Sequence, residues 1–145
     1  MTVAEQIKWN FKTNGDLKIR NKNGKLIYWE DSDGFWSKYE YDSKGNEIYW
    51  ENSNGFWAKR EYDSRGKLIY YKNSNGFWEK SEYDFQGNRI YLELSDGYWE
   101  KYEYDSRGDK IHFEDSNGRI IDERPQPCSD KEIVIEGVKY KLTKV

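Results

Sequence analysis

A period of 21 residues is the feature that most constrains what this chain can fold into. One series of glycines comprises Gly24, Gly45, Gly66, Gly87 and Gly108, and a second comprises Gly34, Gly55, Gly76, Gly97 and Gly118. A column of isoleucines has the same spacing, at Ile27, Ile48, Ile69, Ile90 and Ile111. A fixed period in this range is typical of stacked supersecondary units, each of which contacts its neighbours. The sequence therefore predicts a repeat protein.

Each unit contains two short segments rich in Tyr, Trp, Phe and Ile, separated by two turn signals. One signal reads Ser-Asn-Gly or Ser-Asp-Gly, and the other reads Asp-Ser-Lys-Gly or Asp-Ser-Arg-Gly in most copies. Aromatic and β-branched runs bounded by such turns indicate strands in hairpins. Because a glycine roughly every ten residues would interrupt any helix within three turns, we expect almost no helix. The predicted fold is all-β, an antiparallel array of β-hairpin repeats, as either a single-layer meander or a β-solenoid.

The length of the Ser-Asn-Gly turn decides which side chains share a face of the sheet. A three-residue loop over 53–55 is preferred to a two-residue Asn-Gly turn, because the shorter turn would mix aromatic and charged residues on both faces. With the longer loop, an apolar face carries Ile48, Trp50, Phe56, Ala58 and Tyr62. The opposite, amphipathic face carries Tyr49, Glu51, Trp57, Lys59 and Glu61.

The two ends of the chain depart from the repeat, as the ends of repeat arrays do. Residues 1–26 break the period and are predicted to be a degenerate capping repeat, ahead of hairpin repeats over 27–124. A proline spacer follows at 125–130, and residues 131–145 are predicted to form a C-terminal hairpin with Glu136-Gly137 as its turn. An isolated hairpin is marginally stable in water, so we expect its apolar face to dock on the array, or else on a partner or a second copy. That face carries Ile133, Ile135, Val138, Tyr140 and Leu142.

The composition excludes several classes of protein. The 145 residues include 26 aromatic side chains against 23 Ala, Val, Ile and Leu, and the net charge is only −3, so the chain lacks the signature of disorder. No apolar run of about 18 residues and no secretory signal occur, so we expect a cytoplasmic protein that does not enter membranes. The 24 basic and 27 acidic residues are interspersed, which argues against nucleic acid as a partner.

Catalytic chemistry has little support in the sequence. His112, the only histidine, occupies the column of Tyr91 and is best explained as a replacement for an aromatic in the sheet. Cys128 lies in the proline spacer, with few neighbours that would lower a thiol pKa. Residues 31–34 match half of a calcium loop but lack its other ligands, and a hairpin turn explains them better. We therefore expect no enzyme activity, no catalytic residue, no metal site and no cofactor.

The candidate partner-binding residues form three columns on the amphipathic face. They are Trp36, Trp57, Trp78 and Trp99, then Tyr28, Tyr49, Tyr70 and Tyr91, then Lys38, Lys59, Lys80 and Lys101. Large aromatic side chains give contact area at a low cost in entropy, which suits recognition. Cross-strand stacking that only holds the sheet together explains the aromatic columns equally well, and both roles can hold at once.

Two columns vary between otherwise similar units, and such positions are where a recognition surface could be individualised. They are Ser37, Ala58, Glu79 and Glu100, and Tyr39, Arg60, Ser81 and Tyr102.

The turn segments 41–46, 62–67, 83–88 and 104–109, which read YDSKGN, YDSRGK, YDFQGN and YDSRGD, resemble the Tyr-Asp repeats of bacterial cell-surface and toxin-delivery proteins, also called RHS repeats. The resemblance implies antiparallel strands in a spiralling sheet, which in that family often encloses a cargo. A weaker likeness is to choline- and glucan-binding repeats. In style, the near-identical units also resemble accessory proteins of phages and mobile elements.

Three functions are compatible with these observations. The leading hypothesis is a non-enzymatic protein-binding module, such as an inhibitor that a phage or mobile element directs against a host defence protein. The second is a carbohydrate- or small-ligand-binding module that uses aromatic platforms. The third is a structural protein that self-assembles through a sheet edge or through the C-terminal hairpin.

Overall fold

The computed structural model describes residues 1–124 and 132–141. This part of the chain forms two short helices, α1 (Val3–Ile7) and α2 (Phe11–Asn14), and thirteen strands. The strands are β1 (Leu17–Arg20), β2 (Leu26–Glu30), β3 (Trp36–Tyr41), β4 (Glu47–Asn52), β5 (Trp57–Tyr62), β6 (Leu68–Asn73), β7 (Trp78–Tyr83), β8 (Arg89–Leu94), β9 (Trp99–Tyr104), β10 (Lys110–Asp115), β11 (Ile120–Asp122), β12 (Glu132–Ile135) and β13 (Val138–Lys141). The prediction of an all-β array of hairpins is confirmed.

Strands β1 to β11 form one antiparallel sheet in which every strand pairs with its neighbours in sequence. The sheet is therefore an open meander, without the crossovers of a solenoid. Strands β12 and β13 form a separate two-stranded sheet. Among the described residues, no helix has the length and apolarity needed to cross a membrane.

The Ser-Asn-Gly turn has the predicted three-residue loop, and the Asp-Ser-Arg-Gly turn has a loop of the same length. In the loop over 53–55, the Gly55 N–H donates to the Asn52 carbonyl at 3.0 Å, and Gly55 has a φ of +81° that glycine adopts without strain. The Asn52 side chain adds two bonds, because its Oδ1 accepts from the N–H groups of Asn54 at 3.0 Å and Phe56 at 3.2 Å. The Asp-Ser-Arg-Gly turn repeats this geometry, which explains why Asn or Asp stands first in nearly every turn.

Asp63, the first residue of such a turn, gives a testable pH dependence. Its Oδ1 accepts from the N–H groups of Arg65 at 2.8 Å and Lys67 at 2.9 Å, and the bond from Lys67 contributes most to lowering the pKa of this carboxyl. A lowered pKa stabilises the folded chain above the unfolded value of about 3.9, and the benefit is lost as the pH falls through the folded pKa. Asp63→Asn should keep the turn, and its melting temperature should fall less on acidification than that of the parent. Asp63→Ala should have a lower melting temperature than the parent already at neutral pH. Thermal melts followed by circular dichroism check this, and identical acid profiles for Asp63→Asn and the parent would contradict it.

The serine of each Ser-Asn-Gly loop ties one unit to the preceding one. The Ser53 N–H donates to the Trp36 carbonyl at 3.0 Å, and the Ser53 hydroxyl accepts from the Trp36 N–H at 3.3 Å. Ser74 makes the same two bonds with Trp57. The serine column therefore couples successive hairpins through the backbone.

In three of the four Tyr-Asp turns the tyrosine hydroxyl bonds to the neighbouring strand. The hydroxyls of Tyr41, Tyr62 and Tyr104 donate to backbone carbonyls at 2.9–3.0 Å. Each acceptor lies at or close to the start of the preceding strand, as Leu26 does in β2. The motif that carries the family resemblance thus also connects strands.

The isoleucine column corresponds to a β-bulge in every unit. The register passes from Glu40 opposite Tyr49 to Tyr41 opposite Glu47, so Ile48 has no residue opposite it. An extra residue changes the alternation of side chains beyond it. Ile48, which we expected on the Trp50 face, consequently lines a cavity together with Tyr49.

The expectation of almost no helix is confirmed, and both short helices, α1 and α2, lie in the segment over 1–26 that we predicted to be a capping repeat. The Thr2 hydroxyl accepts from the Glu5 N–H, and the Glu5 carboxylate accepts from the Thr2 N–H, so α1 begins with a capping box. Ala4, Leu17 and Tyr28 form a buried cluster beneath this segment. The cap therefore supplies the small hydrophobic core at the first strands of the sheet.

The C-terminal hairpin forms with Glu136 and Gly137 as its turn, as predicted. Ile133 lies opposite Tyr140 and Ile135 opposite Val138, so these side chains share a face. They are 39–53 % exposed, and they are therefore not buried against the array. The predicted proline spacer over 125–130, which contains Cys128, lies outside the described residues, and so does Leu142.

Candidate binding face of the sheet

The three predicted columns lie on one face because the strand register brings them together. Tyr49 lies directly opposite Lys59, and Trp57 lies opposite Glu51 in the same pair of strands. The other units repeat this arrangement, with Tyr28 opposite Lys38, Tyr70 opposite Lys80 and Tyr91 opposite Lys101. We call this surface the repeat face: it comprises the Trp, Tyr and Lys columns named above together with Glu40, Glu61, Glu82 and Glu103.

Lysines of the repeat face lie against its aromatic rings. The Lys59 Nζ is 5.9 Å from the centre of the Tyr49 ring and 5.7 Å from that of Trp57. The Lys101 Nζ is 4.9 Å from the Trp99 ring. All four lysines of the column are exposed, so the ammonium groups meet solvent while their stems cover the rings. The surface therefore offers aromatic area and positive charge at adjacent positions.

A shallow cavity recurs in successive units of the repeat face. In the second unit it has a volume of about 590 Å³, and its lining includes Ile48, Tyr49, Lys59, Glu61 and Tyr62. The equivalent cavity of the third unit measures about 540 Å³, and its lining includes the corresponding residues Ile69, Tyr70, Lys80, Glu82 and Tyr83. The bulged isoleucine and the two tyrosines give each cavity an apolar part, and the charged residues give it a polar rim.

The opposite surface, which we call the variable face, carries the two columns that differ between units. On it Trp50 lies opposite Ala58, and Leu92 lies opposite Glu100 on one side and Ser81 on the other. Ala58 is 1 % exposed and Ser81 is 3 % exposed. Ser37, opposite Trp29, is 4 % exposed. At these three buried positions the expectation of an individualised recognition surface is corrected. The other members of the two columns are partly exposed: they are Tyr39, Arg60, Glu79, Glu100 and Tyr102.

The first unit of the repeat face is covered by the N-terminal cap. Tyr28 is 9 % exposed, and its ring stacks on that of Trp36 with 6.2 Å between the ring centres. Glu30 is 2 % exposed, and its Oε2 accepts from the Ala4 N–H at 2.9 Å and from the Tyr28 hydroxyl at 2.8 Å. Tyr28 and Trp36, which we expected to bind a partner, therefore pack against the chain itself, whereas Lys38 stays exposed. The second to fourth units present the uncovered copies.

Burial and hydrogen bonding shift the pKa values of both titratable groups of this covered site, Tyr28 and Glu30. Burial together with the bond to Glu30 raises the pKa of Tyr28 to about 12. Burial alone would raise the pKa of the Glu30 carboxyl, but hydrogen bonds from Thr2, Ala4 and Tyr28 outweigh it and lower that pKa. Glu30 is thus held as a carboxylate inside the cap.

The residues considered for catalysis or metal binding, His112 and Asp31, belong to the strands and turns of the sheet. His112 lies opposite Glu103, as Tyr91 lies opposite Glu82, so it occupies the tyrosine column as expected. Its Nδ1 is buried without a hydrogen bond, 3.8 Å from the Asp122 Oδ1. The Asp31 Oδ1 accepts from two N–H groups of its own turn, which confirms the turn interpretation. Within the described ranges, no group of three His, Cys, Asp or Glu residues could hold a metal ion.

Comparisons with known proteins identify the fold alone. No family model matches the sequence, and no curated protein matches it. The structure is similar to the Tc holotoxin pore of Photorhabdus luminescens that carries a TccC3 mutation, with a TM-score of 0.54, 18 % identity, and coverage of 70 % of this chain and 5 % of that one. A crystal structure of TcdB2-TccC3 gives a TM-score of 0.53 at 18 % identity, over 70 % of this chain and 6 % of that one. This chain therefore corresponds to a small part of those proteins, and it is a repeat module whose hairpin meander agrees with the fold that the Tyr-Asp resemblance implies.

Proposed function

We propose that this protein is a non-enzymatic protein-binding repeat module that engages its partner through the repeat face of the second, third and fourth units. The observation that carries the proposal is the direct pairing of tyrosine and lysine in each unit, with a tryptophan beside them. Because each unit contributes two strands, equivalent side chains recur about every 10 Å along the face.

The uncovered face is large enough for recognition. Strands β4 to β9 have six residues each, so they span roughly 29 Å by 20 Å at ordinary strand and residue spacings. That footprint of about 580 Å² is smaller than the roughly 800 Å² that one partner buries in a standard interface, and it matches the smaller interfaces of transient complexes. Aromatic anchors flanked by charges of both signs supply contact area and electrostatic complementarity to such an interface.

Charge reversal of the lysine column tests this proposal. The variant Lys59→Glu with Lys80→Glu should weaken partner binding at least tenfold, because the ammonium groups lie between the rings and the partner. Trp57→Ala with Trp78→Ala should also weaken it. Phe85→Ala serves as the matched control, because Phe85 is 87 % exposed outside the repeat face. The measurement is affinity purification from host lysate with mass spectrometry, followed by titration with the purified partner.

Failure to recover a stoichiometric partner, or equal binding by the parent and the lysine variant, would overturn the proposal. The identity of the partner as a host defence protein is a further prediction that the same purification tests. A defence nuclease recovered at stoichiometric ratio would support the inhibitor role that the resemblance in style to phage accessory proteins suggests.

A second candidate function rests on the recurring cavities. Their apolar part and charged rim are suited to a sugar or another small ligand that stacks on an aromatic ring. This function predicts quenching of tryptophan fluorescence by glycans or choline-like compounds. A flat titration across a glycan panel would remove it.

Self-assembly is favoured by exposed apolar side chains at the end of the chain. Ile120 in the last strand of the large sheet is 64 % exposed, and Val134 and Ile135 of the C-terminal hairpin are 63 % and 53 % exposed. Such residues can pair an edge or a hairpin with a second copy. A mass from light scattering that stays monomeric at every concentration would exclude this role.

A further inference from the structure

The first unit shows what the repeat face can bind, because it already holds a segment of its own chain. Tyr28, Glu30 and Trp36 form a trio in which the Glu30 carboxylate accepts the Ala4 N–H at 2.9 Å. Ala4 is packed in the cluster with Leu17 and Tyr28, and Trp36 packs against that cluster. The trio therefore recognises the first turn of a short helix through one backbone donor and one small side chain.

The same trio recurs, uncovered, in the second and fourth units. There Glu51 lies opposite Trp57 and Glu93 opposite Trp99, as Glu30 lies opposite Trp36. The internal hydrogen bond of the second unit is also preserved, because the Tyr49 hydroxyl donates to the Glu51 Oε2 at 2.9 Å. The acceptor that holds the cap is thus already oriented in the second unit.

The third and fifth units lack this trio and provide natural controls. Lys72 lies opposite Trp78 in the third unit, and an ammonium group cannot accept a hydrogen bond from a backbone N–H. In the fifth unit Ile120 takes the tryptophan position opposite Glu114. The first, second and fourth units therefore have the acceptor and aromatic pair, and the third and fifth units do not.

The uncovered trios differ from the covered one in the charge around them. Leu17 lies opposite Glu30, whereas Lys38 lies opposite Glu51 and its Nζ is 3.2 Å from the Glu51 Oε1. Lys80 occupies the same position opposite Glu93. An occupant of these sites would meet a lysine where the cap meets a leucine. Acidic side chains in the first turn of a helix stabilise the helix. An acidic first turn therefore suits both the helix itself and the lysine of the site.

We propose that the second and fourth units are docking sites for the acidic first turn of a short helix on a protein partner. The turn donates a backbone N–H to Glu51 or Glu93, places a small side chain on the Tyr-Trp pair, and directs its carboxylate to the neighbouring lysines. Residues 1–14 of this chain, with Ala4 and Glu5, are the available example of such an occupant. This inference rests on the proposed function and specifies the chemistry of the partner.

A peptide of residues 1–14 added to the full chain tests the inference. The chain has seven tryptophans, whose indole N–H signals are resolved by NMR and assigned with Trp→Phe variants. The signals of Trp57 and Trp99 should shift with added peptide and that of Trp78 should not. A peptide carrying N-methylalanine at position 4 lacks the N–H donor and should bind at least about tenfold more weakly.

Substitutions in the full chain complete the test. Glu51→Lys should abolish the shift of Trp57 and leave that of Trp99, whereas Lys72→Glu should create a third site that shifts Trp78. The inference would be overturned if no tryptophan signal shifted at millimolar peptide. It would also be overturned if all three signals shifted and neither substitution nor the N-methyl group changed those shifts. If a partner is captured and Glu51→Lys with Glu93→Lys does not affect its binding, the protein-binding function is supported and helix docking is refuted. If the peptide shifts the signals but no partner is captured, helix docking is supported and the protein-binding function is refuted.

Discussion

Replacing Glu30 with alanine is expected to lower the free energy of unfolding by about 3 kcal/mol. The substitution leaves the Ala4 N–H and the Tyr28 hydroxyl, both buried, without their acceptor. It also opens a cavity in the site that holds the cap to the sheet. Urea unfolding measures the change, and exposure of the cap should appear as loss of amide protection over 1–14 in hydrogen exchange.

The conservative variant separates the hydrogen bonds from the charge. Glu30→Gln keeps a side-chain oxygen that can accept from Ala4, so it should be markedly less destabilising than Glu30→Ala. Glu51→Ala is the matched control, because Glu51 occupies the same column in an uncovered unit. If Glu51→Ala lowered the free energy of unfolding as much as Glu30→Ala, the contacts of Glu30 with the cap would contribute nothing to stability.

The faces of the sheet could be predicted from the sequence because side-chain alternation has a fixed period of two. Once the loop over 53–55 is assigned three residues, Trp57, Lys59 and Tyr49 must share a face, and the register confirms it. The same reasoning failed at Ile48. A bulge adds a residue without any special composition, so the column of isoleucines gave no indication that the alternation changes there.

Other features had a signal that composition-based reasoning missed. The spacing of Thr2 and Glu5 is that of a capping box, and it marks a helix inside the segment that we predicted to be a degenerate capping repeat. The serine before Asn-Gly recurs in every loop, and its bonds to the preceding unit explain why. Glu30, by contrast, is indistinguishable in sequence from Glu51. Only the placement of the cap buries Glu30 and leaves Glu51 partly exposed.

Alkaline pH is expected to unfold the protein cooperatively between about pH 10 and 12, the range from the ordinary tyrosine pKa to the raised pKa of Tyr28. The folded state raises the pKa of Tyr28, Tyr41, Tyr49, Tyr62, Tyr91, Tyr98, Tyr102 and Tyr104, chiefly through burial and, for Tyr98, through its bond to Glu100. A raised pKa means that the folded chain holds its proton more tightly than the unfolded chain. The resulting stability is complete below pH 10 and is lost as the pH rises through the folded values.

Tyr28 makes the largest contribution that can be assigned to a buried hydroxyl. Its pKa of about 12 corresponds to about 2–3 kcal/mol between the two protonation states. When circular dichroism and the absorbance of tyrosinate are followed together against pH, the loss of sheet signal should coincide with the steepest rise in absorbance, because ionisation of the buried rings requires unfolding. Tyr28→Phe should move the alkaline midpoint, whereas Tyr70→Phe, in the same column of an uncovered unit, should leave it in place. Gradual ionisation of the tyrosines with the sheet intact would contradict the prediction and would mean that the aromatic columns are accessible to hydroxide in the folded state.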